Sequence, residues 1–74
     1  METIEVFKTN VEDRNHANML TDRIHKSFIN YQANFDLEDC DKILRVKCRD
    51  ESVCTQSLIR FLNELGFNAE VLPD

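Results

Sequence analysis

The segment Leu58-Ile59-Arg60-Phe61-Leu62-Asn63-Glu64-Leu65-Gly66-Phe67-Asn68-Ala69-Glu70-Val71-Leu72 holds the only glycine of the chain, and the residues on its two sides follow different periods. Before Gly66, Cys54, Leu58, Phe61, Leu62 and Leu65 recur at helical spacing and predict an inward stripe. After it, Phe67 to Leu72 alternate as a strand does, ending at Pro73, whose missing donor is harmless at a strand end. Glycine enters the left-handed conformation that closes a helix without steric penalty, so the segment predicts a helix, a stop and a strand. Upstream lie another strand, helix and strand. The simplest reading of the whole is β-α-β-β-α-β, a split-βαβ sandwich in which two helices cover one sheet face.

The first strand is expected at Ile4 to Lys8, with Ile4 and Val6 on one face and Glu5 and Phe7 on the other. From about Glu12 to Phe28, Ala17, Leu20, Ile24 and Phe28 keep helical spacing, while Arg14, Asn18, Thr21 and His25 take the opposite side. Glu12 and Asp13 suit the positive end of that helix, His25 and Lys26 its negative end. Asn30 is placed to turn the chain in a left-handed cap. Tyr31, Ala33, Phe35 and Leu37 alternate with Gln32, Asn34, Asp36 and Glu38 as a second strand. A turn around Asp39-Cys40-Asp41 leads into a third, where Leu44, Val46 and Cys48 alternate with Ile43, Arg45 and Lys47. Asp50 or Ser52 is expected to cap the second helix. Right-handed crossovers then give an antiparallel four-stranded sheet of order 4-1-3-2, an α+β architecture with the second sheet face left open. In this topology the loop after strand one, the Cys40 hairpin and the Gly66-Phe67 turn share one end. Cys48 and the start of the second helix share the other.

The 74 residues make one domain, and a chain of this size removes only about 60% of its unfolded surface from water, so modest stability is expected and dimerisation would help. Nine basic against fourteen acidic residues leave a net charge of −5, which repels nucleic acid and anionic lipid. No apolar run reaches the roughly 20 residues a bilayer requires, and Met1-Glu2-Thr3-Ile4-Glu5 does not read as a signal peptide. The three cysteines are odd in number and irregularly spaced, a pattern of reduced thiols rather than a disulfide framework. A cytoplasmic protein is the expectation.

The layout, together with Phe35-Asp36-Leu37-Glu38 before strand three and Leu65-Gly66-Phe67-Asn68-Ala69-Glu70-Val71 at the end, resembles the heavy-metal-associated domains of copper chaperones and metal-pumping ATPases, which have a ferredoxin-like fold. The likeness spans almost the whole chain. It implies a Met-x-Cys-x-x-Cys loop between strand one and helix one, yet the loop here reads Lys8-Thr9-Asn10-Val11-Glu12-Asp13-Arg14. The two thiolate positions fall on Val11 and Arg14, or on Asn10 and Asp13, and none of these replaces sulfur toward a soft ion. The chain therefore resembles a divergent member without the metal-binding cysteine pair, and no metal ligand or cofactor is carried over. Phe67 keeps the aromatic position near that loop, where a packing role is the plainer one.

Other residues do not rebuild a site. Cys40 sits among Glu38, Asp39 and Asp41, whose charge disfavours its thiolate, and these acids with Asp36 lack the glycine and distal glutamate of a calcium loop. Cys48 and Cys54 are both expected to face inward beneath the second helix, where core packing is the plain reading and a disulfide or soft-metal pair the sharper one. His16 and His25 are not at the spacing of a helical zinc pair and are expected to be solvated. Ser27, Ser52 and Ser57 read as helix-end or surface residues, and no nucleophile, base and orienting group are gathered, so an enzyme is not expected. On the open sheet face, Phe7 and Ile43 are expected as exposed neighbours flanked by Glu5, Arg45, Lys47 and Asn68, a small apolar patch with a charged rim.

These readings converge on a small cytosolic binding domain acting through protein contacts, with a protein partner or a second copy of itself, Phe7 and Ile43 being the interface residues. The alternative is a soft-metal binding or trafficking protein using non-standard cysteines. A small-molecule regulatory domain of like topology is a third class, for which no polar pocket can be argued.

Overall fold

A computed structural model describes residues 3–38, 42–49 and 52–72 of the chain. Six elements follow in order: β1 (Thr3–Thr9), α1 (Arg14–Ser27), β2 (Tyr31–Asp36), β3 (Ile43–Cys48), α2 (Thr55–Glu64) and β4 (Ala69–Val71). The strands form one antiparallel sheet in the order β2-β3-β1-β4, which is the expected 4-1-3-2 arrangement of a ferredoxin-like α+β sandwich. Among the described residues, no helix is long and apolar enough to cross a membrane.

The core lies between one sheet face and both helices. Leu44, Val46 and Cys48 of β3 and Ala33 of β2 meet Ala17, Leu20 and Ile24 of α1 and Leu58 and Leu62 of α2. Register then decides what β1 contributes. Phe7 lies opposite Leu44, Glu5 opposite Val46 and Thr3 opposite Cys48, so these three share the helix-covered side and Ile4, Val6 and Lys8 take the other. Phe7 is wholly buried, while Ile4 keeps 50% of its surface exposed. The expected exposure of Phe7 is thus corrected. Each parity of this strand mixes polar and apolar residues, and the large phenyl ring removes more apolar area from water at the sheet centre than Ile4 would.

The helix ends account for most remaining differences. Helix α1 starts at Arg14, two residues later than expected, because Asp13 is its N-cap and its carboxylate accepts the Asn15 N–H at 2.8 Å. It ends at the C-cap Phe28, whose N–H donates to Ile24 O, and a turn closes as the Tyr31 N–H reaches Phe28 O at 3.0 Å. Asn30 is not left-handed; among the described residues Lys42 is the non-glycine with positive φ, at 51°. The Phe28 ring stacks on Tyr31 at 5.1 Å and meets Phe61 edge-on at 5.5 Å, and this aromatic brace shapes the turn in place of an Asn cap.

The N-cap of helix α2 is Cys54 rather than Ser52, and Asp50 lies outside the described residues. Its far end matches expectation. Leu65 is the C-cap, Gly66 has φ +94°, the Gly66 N–H bonds Asn63 O at 3.0 Å and the Phe67 N–H bonds Leu62 O at 2.9 Å. Those two bonds are the pair of a Schellman cap. Strand β4 is shorter than the sequence suggests, because residues 67 and 68 are consumed in leaving the helix.

Three connections meet at one end of the sheet, as expected. The Thr9 hydroxyl donates to Lys42 O at 2.6 Å and accepts the Val11 N–H at 3.3 Å. Asn10 and Asn68 clip the strand ends together: the Asn10 N–H bonds Asn68 O, and the Asn68 N–H bonds the Asn10 side-chain oxygen at 2.9 Å.

Candidate interaction face

The side of the sheet without helices has a simple grid. Register sets Asp36, Ile43, Lys8 and Glu70 in one cross-strand row, Asn34, Arg45 and Val6 in the next, and Gln32, Lys47 and Ile4 in the third. Beyond β4, the Leu72 N–H donates to Val6 O at 2.8 Å, which extends the middle row. Ile43 is on this face as expected but is only 7% exposed. It forms a floor between Lys8 and Asp36 rather than a protruding contact. Val6 is half-buried and Ile4 protrudes, so the accessible aliphatic surface sits on β1. Around it, Lys8, Arg45, Gln32, Asn34, Asp36 and Glu70 are exposed. Glu5, expected on this rim, faces the helices instead, for the same reason of register as Phe7.

The patch pair Phe7 and Ile43 is therefore replaced by Ile4 and Val6 over Ile43. Sequence reasoning missed it by choosing the wrong parity for Phe7. The available signal was Thr9, which shares Phe7's parity and sits at the entrance to the loop, where a buried hydroxyl can bind backbone.

At the opposite end of the molecule lies the one thiol that is both described and exposed. Cys54 was expected to face inward; Val53, 6% exposed, takes the buried place before α2 instead. The Cys54 N–H donates to the Tyr31 hydroxyl at 2.8 Å, and its Sγ lies 3.1 Å from the Ser57 hydroxyl. That hydroxyl, followed by the nearby Ser57 amide, lowers the thiol pKa from its ordinary value; desolvation opposes them, and the Gln56 amide adds a still smaller lowering. The amides act by proximity, since the side chain closes no capping hydrogen bond. Cys48 is buried in the core, and both cysteines are free thiols. The expected juxtaposition of two inward sulfurs does not form. Cys40 lies outside the described residues, as do Asp39 and Asp41 of its acidic set.

The loop positions that carry thiolates in the resembled family have other work here. Val11 is completely buried, Asp13 caps α1 and Asn10 is clipped to Asn68. Phe67 packs against the core and meets the His16 ring edge-on at 5.4 Å. His25 is exposed, yet its Nε2 accepts the Ala33 N–H at 3.0 Å, a role that requires that nitrogen without a proton. Ala33 is in an edge strand, so the imidazole covers a donor that would otherwise invite another strand.

Comparison with known proteins returned no match: no family model, no curated protein and no solved structure is similar to this chain at a significant level.

Proposed function

We propose that this chain is a small binding domain, working in the cytosol, that acts through protein contacts made by the helix-free face of its sheet. The observation that carries the reading is Ile4. It is half exposed on a central strand, where it continues an aliphatic strip with Val6 and Ile43 inside a rim of charged and amide side chains. An apolar centre with a polar rim is the composition of a modest protein interface. The outward residues of the two central strands include no ring on which a base could stack, and the net charge of −5 opposes a phosphate backbone. A protein is thus favoured over a nucleic acid. Binding is favoured over catalysis because the hydrogen-bond partner of Cys54 is a hydroxyl, not a base.

Site-specific photo-crosslinking in cells tests the reading. With p-benzoylphenylalanine in place of Ile4, discrete protein adducts are expected; in place of Asn18, exposed on α1, they are not. Adducts at residue 18 alone, or at neither position, would remove the open face as the working surface.

A further inference from the structure

Apart from the open face, we infer that the edge of β2 is a self-association site: a second copy of this chain adds its own β2 there, antiparallel about a two-fold axis, and His25 is the removable cover of that edge. Backbone groups of a strand alternate between its two sides. The Tyr31 and Ala33 N–H groups both bond outside the sheet, so those of Phe35 also face outward, while Gln32, Asn34 and Asp36 turn theirs toward β3. The Tyr31 N–H is used in the turn, on Phe28 O, and the Ala33 N–H is held by His25 Nε2. The Phe35 N–H meets no acceptor among the described residues. An incoming strand thus finds one open donor and one that only a side chain occupies.

The residues of the edge select the occupant. With Ala33 on the two-fold axis, Tyr31 falls opposite Phe35 of the second copy and Gln32 opposite Asn34 of the second copy. Aromatic meets aromatic on the helix side and amide meets amide on the other, both favourable cross-strand pairs. Asp36 comes beside Asn30 of the second copy, so no carboxylate of the strand faces another. Ile29, in the turn before β2, is 87% exposed and comes beside Leu37 of the second copy. The pairing therefore covers the large hydrophobic residue that is most exposed among the described ones. The other sheet edge, β4, has three residues. Pairing β2 with β2 consumes both long edges and closes the assembly at two copies.

The cover responds to protons. Nε2 accepts the Ala33 N–H only while the ring is neutral, and a protonated imidazole has donors alone. Beside His25 on α1, Asp22 and Lys26 pair with each other at 3.1 Å. From β2 the ionisable groups are Tyr31, whose hydroxyl accepts the Cys54 N–H, and Asp36 at the far end of the strand. The cap is thus in place above the imidazole titration and lost as pH falls through it, which frees the Ala33 donor for the second copy.

Sedimentation equilibrium of the full chain over a concentration series tests this at about pH 8 and about pH 6, which bracket the usual imidazole titration and stay above that of carboxylates. The parent is expected to dimerise about tenfold more tightly at the lower pH, since each dimer frees two capped donors. His25→Ala should dimerise with the higher affinity at both values while its far-ultraviolet circular dichroism stays unchanged. Adding Gln32→Glu and Asn34→Glu sets carboxylates against each other across the two-fold axis, whereas within one sheet they lie opposite Lys47 and Arg45. That combination should stay folded and monomeric. The inference is overturned if the parent associates equally at the two pH values, if His25→Ala remains monomeric or keeps the parent's pH response, if the two acidic substitutions leave association unchanged, or if assembly runs past two copies. None of these readouts depends on crosslinking at Ile4, so the open face stands or falls separately.

Discussion

Cys54 and Cys48 carry the same functional group and differ in everything around it. The Ser57 hydroxyl beside the Cys54 sulfur stabilises its thiolate, so at neutral pH Cys54 is ionised to a greater extent than an ordinary thiol. Cys48 is sealed in the core. Iodoacetamide is therefore expected to modify Cys54 much faster than Cys48 in the folded protein. The pH midpoint of the Cys54 reaction should lie below that of a free cysteine. Ser57→Ala removes the leading cause of the lowered pKa, so the midpoint should move up and the rate at neutral pH should fall. Peptide mapping after timed alkylation reads both effects, and an unchanged pH profile in the serine variant would show that the hydroxyl does not act on the sulfur. This environment was not legible in the residue pattern. Cys54 fits the helical spacing of Leu58 and Leu62, but spacing does not reveal where a helix starts, and an N-cap residue with extended backbone need not point along the stripe.

At the scale of elements, the α2-β4 junction is the part most completely written in local residues. Gly66 is left-handed, and a β-carbon built on it would meet nothing within 4 Å. The penalty for Gly66→Ala is consequently backbone strain without a packing clash. Strain of 1–2 kcal/mol, partly offset by the lower entropy of the unfolded alanine chain, predicts a loss of about 1 kcal/mol. Urea denaturation of the two proteins measures it; equal midpoints would mean that the helix does not need a left-handed stop. The α1-β2 junction contrasts with this. Asn30 is a reasonable left-handed residue, yet Phe28, Tyr31 and Phe61 settle the turn by ring contacts. Phe61 is more than thirty positions away from Phe28, so no local pattern announces the contact. The same holds for His25, whose imidazole looks like a solvated helix residue until β2 is placed beside it and the Ala33 N–H needs an acceptor.

For the molecule as a whole, the decisive question is which side of the sheet β1 turns toward the helices. Phe7 in the core and Ile4 outside predict unequal costs of truncation. Phe7→Ala should lose about 3–5 kcal/mol, a large part of the roughly 4–11 kcal/mol typical of a domain this size. Ile4→Ala, half exposed, should lose less than about 1 kcal/mol. Should Phe7→Ala not fold, Phe7→Leu still distinguishes the faces with a loss of about 1 kcal/mol. Denaturant titration of the series decides it, and a larger loss at Ile4 than at Phe7 would reverse the assignment. Element order, strand order and the helix stop could all be read from the chain, because hydrophobic period, glycine geometry and crossover handedness act locally or through connectivity. The parity of β1 and the identity of the interaction face could not. Both alternating sets of that strand mix polar and apolar residues, and the choice falls to the burial of Phe7, opposite Leu44, in the core that sheet and helices share, which exists only once the distant parts of the chain have come together.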